Sequence, residues 1–149
     1  DLDDLRTGAA KIRVAIDASN GMAGTMVPKV FGDVPGIEII DINFENCTGT
    51  FVHEPNPLVE ANLSQVREAT VAEGCHVGIC FDGDADRCMV VDEQGGIVGC
   101  DLVTGLDSGS SGQRGAAAWS LICVVVIASL KWCGKLAANR SWAVLVMYS

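Results

Sequence analysis

The sequence predicts an α/β fold: a three-layer sandwich with a mostly parallel mixed sheet and flanking helices. Apolar runs of strand length occur at 11–17, 37–42, 76–81 and 88–92. Helical spacing separates the first three runs, at 25–34 and again from residue 62 onward. Crossovers between parallel strands are right-handed, so the strands end at one edge of the sheet, where such folds bind their ligands.

The first strand ends on a carboxylate, Asp17, and a run of small residues follows it over 18–24. These small residues predict a tight turn into the first helix, whose proline is tolerated only in the first helical turn. Residues 43–57 follow the second strand as a loop. We expect His53 to act there as a hydrogen-bonding side chain and His76 to open a strand, neither taking part in catalysis.

The second helix has recognisable start and stop signals. Asn62 and Gln65 have the spacing of a capping box, and Gly74 is a natural helix stop. After the third and fourth strands, a Gly-Gly pair at 95–96 predicts a turn into a short strand at 97–98.

Length and composition restrict the class of protein. A chain of 149 residues accommodates one domain, or one domain with an attachment. A hydrophobic content of 49% excludes a wholly disordered protein, and the net charge of −9 argues against nucleic acid or an anionic membrane as a partner. The seven cysteines form no C-x-x-C pair and no metal-finger spacing, which predicts reduced thiols and a cytoplasmic protein.

The strongest functional signal is an acidic loop, residues 82–87, that directly follows the third strand. Its carboxylates at Asp82, Asp84 and Asp86 would repel one another, and a divalent cation removes that repulsion. Hard oxygen ligands favour Mg²⁺ or Ca²⁺, so the three residues are predicted metal ligands, with a solvated acidic turn as the alternative. An EF-hand is excluded because its sixth loop position needs Gly, and Arg87 stands there.

Arg87 is a second functional signal in this loop. A guanidinium beside a metal site can bind a phosphate group through two hydrogen bonds. A metal ion and an arginine side chain often occur together in sites that transfer phosphoryl groups. The sequence therefore predicts Arg87 as a catalytic residue that contacts phosphate. The alternative is an ion pair with a neighbouring aspartate.

Four segments occur together in a recognisable order: Asp17-Ala-Ser-Asn-Gly-Met-Ala-Gly24, His53-Glu54-Pro55-Asn56-Pro57 with Asn62-Leu63 after it, Asp82-Gly-Asp-Ala-Asp-Arg87, and Asp101-Leu-Val-Thr104. With them, residues 11–106 resemble the second domain of the α-D-phosphohexomutases, the phosphomannomutase and phosphoglucomutase group. The acidic loop is the specific match, whereas the other segments are weak singly and strong together.

The resemblance implies the metal-binding domain of a four-domain enzyme. Such enzymes pass a phosphoryl group from a phosphoserine in the first domain to a hexose phosphate, here of mannose or glucose, through a hexose 1,6-bisphosphate. Asp82, Asp84 and Asp86 would hold Mg²⁺, and Arg87 would lie near the phosphoryl group. The family's serine loop and its sugar- and phosphate-binding loops are not recognisable in this sequence, so the resemblance implies a fragment that is inactive alone.

Two other functions remain open. One is a stand-alone module that binds a divalent metal or phosphate without catalysis. The other is a magnesium-dependent phosphatase of a different α/β family, which also places Asp pairs after a strand, although its downstream Lys and Asp motifs are not recognisable here.

The sequence divides into a linker from a missing first domain (1–10), the metal-binding domain (11–106) and an aberrant tail (107–149). All 19 acidic residues lie at or before Asp107, whereas 108–149 hold all three tryptophans and no Asp, Glu or Pro. The apolar run of the tail, 116–130, is shorter than the about 20 residues that span a bilayer. A back-translation of 121–149, read in a shifted frame, gives DLRSSHSVAEVVREAGGKPFVGRVGHVF, which resembles the third domain of bacterial phosphohexomutases. We therefore predict that the tail is an out-of-frame translation of that region, without a native fold.

Overall fold

The computed structural model of the chain describes Leu5 and residues 7–98. The described elements are β1 (Ile12–Asp17), α1 (Ala23–Phe31), β2 (Ile37–Ile42), a 3-10 turn (Glu60–Leu63), α2 (Ser64–Ala72), β3 (Val77–Phe81), β4 (Cys88–Asp92) and β5 (Ile97–Val98). Within that part of the chain, no helix has the length and apolar character needed to cross a membrane. The predicted tail, 107–149, lies outside the described residues, so its out-of-frame origin stays a prediction.

The described strands form one mixed sheet in the order β2-β1-β3-β4-β5. β1 pairs in parallel with both β2 and β3, whereas β4 is antiparallel to β3 and to β5. Four strands therefore point in one direction, which confirms the predicted mixed and mostly parallel sheet. Asp17 is in register with Ile42 on one side and with Cys80 on the other, so the three adjacent parallel strands, β2, β1 and β3, end nearly level.

Helices cover both faces of the sheet. Val14, Ile16 and Ile79 pack on the side of α1, together with Val27 of that helix. Alternate strand residues face the other way and pack in a second core cluster, which consists of Ala15, Leu63, Val66, Cys75, Cys80 and Val91. Because both faces are buried, the central strands are continuous apolar runs instead of alternating ones. The predicted three-layer sandwich is confirmed.

The start of α1 differs from the prediction. The helix begins at Ala23 because the amides of Thr25 and Met26 already donate to the Met22 carbonyl, at 3.1 and 3.2 Å. Pro28 therefore lies in the second turn, and the expectation that it lies in the first is wrong. Lacking an N–H, it cannot donate to the carbonyl of Gly24.

The predicted capping box at α2 is also wrong. Neither side chain caps the helix. Asn62 Nδ2 donates to the Asn56 carbonyl at 2.9 Å, and Gln65 Oε1 accepts from Asn43 Nδ2 at 2.7 Å. A 3-10 turn leads into the helix instead. Both side chains bind the loop that follows β2, so this loop is tied to α2. Gly74, with φ of +60°, follows the helix end as predicted.

One residue of the predicted linker, Leu5, is buried in the core on the α1 side. Its carbonyl accepts hydrogen bonds from the amides of Gly8 and Gly36, at 3.2 and 2.9 Å. Leu5 therefore packs on the domain, and the boundary at residue 10 stays a prediction.

Candidate metal centre

Three loops lie at the edge where the parallel strands end. They are the first loop (residues 18–22), which follows β1, the second loop (residues 43–57), which follows β2, and the acidic loop (residues 82–87), which follows β3. Their strands are neighbours and end nearly level, so the loops meet. The structure thus places Asp17 and Asp82 at the same sheet edge, as expected from the sequence.

The acidic loop brings Asp82, Asp84 and Asp86 together. One carboxylate oxygen from each lies within 4.8 Å of the other two. The chain curls through Ala85, whose φ is +62°. Desolvation by burial raises the pKa of Asp86, and its hydrogen bond to Asp82 and the charges of Asp82 and Asp84 raise it further. A clustered, mutually repelling set of hard oxygen atoms fits a divalent cation such as Mg²⁺.

Asp82 also determines the shape of the acidic loop. Its carboxylate is buried, and Oδ1 accepts from the backbone amides of Asp86 and Arg87, at 3.0 and 3.2 Å. The Asp82 amide in turn donates to the Arg87 carbonyl at 3.1 Å. The loop therefore closes around one carboxylate, whose remaining oxygen, Oδ2, points to the Arg87 side chain.

Arg87 forms ion pairs within this loop. Its Nε donates to Asp82 Oδ2 at 2.8 Å and lies 3.6 Å from Asp86 Oδ1. The hydrogen bond to Asp82 and the charge of that carboxylate raise the pKa of the guanidinium. An ion pair with a neighbouring aspartate is the alternative role that the sequence predicts for Arg87, and the structure contains this ion pair. The contact of Arg87 with phosphate stays a prediction.

Gly83 lies between the other two loops. Its carbonyl accepts from the Met22 amide of the first loop at 2.9 Å. A Cβ added to Gly21 would lie 2.5 Å from the same carbonyl oxygen, so no side chain fits there. On the other side, a Cβ on Gly83 would lie 3.7 Å from Pro55 Cβ of the second loop. From the sequence, Gly21 is expected only to allow a tight turn. Its contact with Gly83 could have been inferred from the fact that the two loops follow neighbouring strands, β1 and β3.

Asp17 ties the first and second loops together. It is fully buried, and its Oδ1 accepts from the Ser19 amide at 2.8 Å and from Asn43 Nδ2 at 3.0 Å. Its Oδ2 is 3.0 Å from His53 Nε2, while His53 Nδ1 is 2.8 Å from the Glu54 carbonyl oxygen. Both partners of the ring are oxygen atoms that can accept a hydrogen bond, so each ring nitrogen is placed as a potential donor. His53 is confirmed as a hydrogen-bonding residue of this loop.

Asp17, His53 and Cys80 form a second group whose ligand-type atoms lie within 4.8 Å of one another. Burial, followed by the negative charge of Asp17, raises the pKa of the Cys80 thiol to about 12, so it stays protonated. Asp17 already has three hydrogen-bonding partners. We therefore assign this group as a hydrogen-bonded pair of Asp17 and His53 with the Cys80 thiol near it. Sequence reasoning missed it because its members come from three separate segments.

Comparisons with known proteins agree with this geometry. The sequence model of the family described as "Phosphoglucomutase/phosphomannomutase, alpha/beta/alpha domain II" matches residues 4–96. A phosphoglucosamine mutase of Clostridium perfringens is 39% identical over 92 residues, which cover 62% of this chain and 20% of that protein. A phosphoglucosamine mutase of Sphingopyxis alaskensis is 34% identical over 119 residues, which cover 80% of this chain and 26% of that protein.

A solved structure shares the fold. The X-ray structure of a phosphoglucomutase/phosphomannomutase family protein from Burkholderia thailandensis matches with a TM-score of 0.54 and 26% identity. The match covers 73% of this chain and 26% of that one. The chain thus spans about a fifth to a quarter of the length of these proteins.

Proposed function

Because the chain belongs to the phosphoglucomutase/phosphomannomutase family, of which it carries domain II, we propose that it is the metal-binding part of a phosphohexomutase. The observation that supports this most directly is the convergence of Asp82, Asp84 and Asp86 beside the Arg87 guanidinium. The group lies at the edge of the sheet where α/β folds bind ligands. Mg²⁺ is the proposed ion because these ligands are hard oxygen atoms.

The proposed parent enzyme interconverts hexose 1-phosphate and hexose 6-phosphate through a phosphoserine and a hexose 1,6-bisphosphate. When bound, Mg²⁺ would neutralise charge on the transferring phosphoryl group. Asp82, Asp84 and Asp86 hold the cation in this proposal. Arg87 has the donors to bind phosphate oxygens in a fixed orientation, and positioning of this kind is the main contribution of a protein to phosphoryl transfer.

The substrate class we propose is hexose phosphates. The sequence resemblance pointed to mannose or glucose phosphates, and the names of the curated relatives add glucosamine phosphate as a candidate. We propose that the chain is inactive alone, because no serine nucleophile loop or sugar-binding loop of the family is recognisable in its sequence. A cytoplasmic location is part of the same proposal and follows from the expected reduced thiols.

The metal site is tested by titrating the chain with Mg²⁺ and Mn²⁺ in a calorimeter. Asp84→Asn should lose most of the binding, at least about tenfold in affinity, because it removes an anionic ligand without changing the shape of the side chain. Asp33→Asn is the matched control, since Asp33 is an exposed carboxylate that precedes β2 at the opposite edge of the sheet. Equal affinities of the wild type and Asp84→Asn would contradict the assignment.

The activity is tested with the purified 149-residue chain, Mg²⁺ and a hexose bisphosphate. We expect no conversion of mannose, glucose or glucosamine 1-phosphate. Conversion that persists after removal of host enzymes would contradict the proposed inactivity. Hydrolysis of an aryl phosphate that is lost in Asp84→Asn would favour the phosphatase alternative.

A further inference from the structure

We propose that Asp17 and His53 are positioning residues for the acidic loop: their hydrogen bond holds the second loop beside Gly83 and so fixes the placement of the metal ligands. The inference rests on the proposed metal site. It also goes beyond it, because neither residue is a predicted ligand.

The first step is the burial of Asp17. Its side chain is inaccessible to solvent, so the carboxylate depends on protein donors for the hydrogen bonds that water would otherwise supply. Asn43 and His53 of the second loop provide two of its three donors, at 3.0 Å each. Loss of the His53 donor leaves one oxygen of a buried carboxylate without its partner, which disfavours the observed position of the second loop.

The second step links His53 to the acidic loop. Its Nδ1 donates to the Glu54 carbonyl at 2.8 Å, which fixes the ring relative to the backbone just before Pro55. Pro55 lies beside Gly83: a Cβ built on that glycine would be 3.7 and 3.8 Å from Pro55 Cβ and Cγ, which are ordinary contact distances. Gly83 stands between Asp82 and Asp84 in the chain. A displacement of Pro55 therefore changes the surroundings of the glycine that joins these two metal ligands.

The third step is a parallel route through the first loop. The Ser19 amide donates to Asp17 Oδ1 at 2.8 Å, and Ser19 Oγ donates to the Phe81 carbonyl at 2.6 Å. Phe81 is the residue before Asp82. Asp17 thus reaches the dipeptide Asp82-Gly83 by two routes: hydrogen bonds through Ser19 lead to Phe81, and His53 leads to Pro55, which lies beside Gly83. The ligand geometry of the acidic loop depends on a carboxylate that does not bind the metal.

The test is cation affinity measured with Mn²⁺ and Mg²⁺ on the full chain. His53→Ala should lower the affinity about tenfold, the lower end of the effect of residues that orient metal ligands. His53→Gln should restore much of it, because its carboxamide can donate to Asp17. His76→Ala is the matched control. His76 precedes β3, and its Nδ1 accepts from the backbone amide of Arg13 at 3.1 Å. The cation affinity of His76→Ala should equal that of the wild type.

A second variant covers the case in which His53→Ala fails to fold. Pro55→Ala removes the ring atom Cγ that lies beside Gly83 and leaves the Asp17 hydrogen bonds in place, so the cation affinity of this variant should fall several-fold. Amide chemical shifts of Gly83 and Asp84 provide a direct readout. Both should move in Pro55→Ala and in folded His53→Ala, and both should stay in place in His76→Ala.

The outcomes separate this inference from the metal site itself. If Asp84→Asn binds Mn²⁺ like the wild type, the proposed metal site fails. If Asp84→Asn loses binding while His53→Ala and Pro55→Ala retain wild-type affinity, the metal site stands and the positioning role is overturned. A cobalt thiolate absorption band that is lost in Cys80→Ser would also overturn it, because Asp17 and His53 would then be ligands of a softer metal.

Discussion

Gly21→Ala tests the contact between the first loop and the acidic loop. The new Cβ would lie 2.5 Å from the Gly83 carbonyl oxygen and 2.8 Å from Gly83 Cα. Comfortable carbon contacts are about 3.5–4.0 Å, so one loop must move by about 1 Å. The overlap involves backbone atoms, and no side chain can rotate away to relieve it.

The expected loss of unfolding free energy has two parts. Overpacking of this kind costs about 1–3 kcal/mol. The Met22–Gly83 hydrogen bond, 2.9 Å long, contributes about 1 kcal/mol, and displacement of the loops weakens it. The sum of about 2–4 kcal/mol is a large share of the about 5–15 kcal/mol that stabilises a typical domain.

Urea unfolding followed by circular dichroism measures this loss. Gly83→Ala is the matched control, because its Cβ meets Pro55 only at ordinary contact distances, 3.7 and 3.8 Å. Neither glycine has a left-handed backbone, so the conformational effect of adding a Cβ is similar at both positions. If Gly21→Ala is no less stable than Gly83→Ala, the close approach of the two loops is wrong.

Three further changes have outcomes set by local geometry. Ala85→Gly should increase the free energy of unfolding by about 0.5–1 kcal/mol, because a left-handed φ of +62° strains alanine. The melting temperature should rise accordingly, and a lower melting temperature would contradict this. Iodoacetamide at pH 8 should modify exposed Cys47 well before buried Cys80, whose pKa of about 12 leaves little thiolate; equal rates by peptide mass spectrometry would be inconsistent with the structure. Asp92→Ala should destabilise the chain by about 1–2 kcal/mol in urea, because Asp92 Oδ1 accepts from two amides of the β4–β5 turn; an unchanged midpoint would refute its role.

The fold was predictable where hydrophobic periodicity decides the structure. β2 and β4 have the predicted bounds, because each is a mainly apolar run that is flanked on both sides by polar or small residues. The helix starts were less predictable. Asn62 and Gln65 have suitable spacing for a capping box, yet partners in the second loop bind them instead, and local spacing carries no information about those partners.

The candidate site divides in the same way. The clustering of Asp82, Asp84 and Asp86 could be predicted from the sequence because these residues lie within six consecutive positions, and their role as metal ligands stays a prediction. The partner of Arg87 could not be decided, since a carboxylate and a phosphate attract the same guanidinium. The hydrogen bond between Asp17 and His53 joins residues 36 positions apart, and its existence depends on how the second loop folds back over β1.

The ion pair between Arg87 and Asp82 gives the acidic loop a built-in counterion. A cation that binds Asp82 Oδ2 competes with the guanidinium, and an anion that binds Arg87 competes with the carboxylate. Each ligand releases the partner that the other one needs, so the two should bind cooperatively, and linkage requires that each raise the affinity of the other by the same factor. A coupling of about 1.4 kcal/mol would correspond to a tenfold effect. We therefore expect any cation affinity of the acidic loop to depend on the anions in the buffer, and inorganic phosphate should increase it.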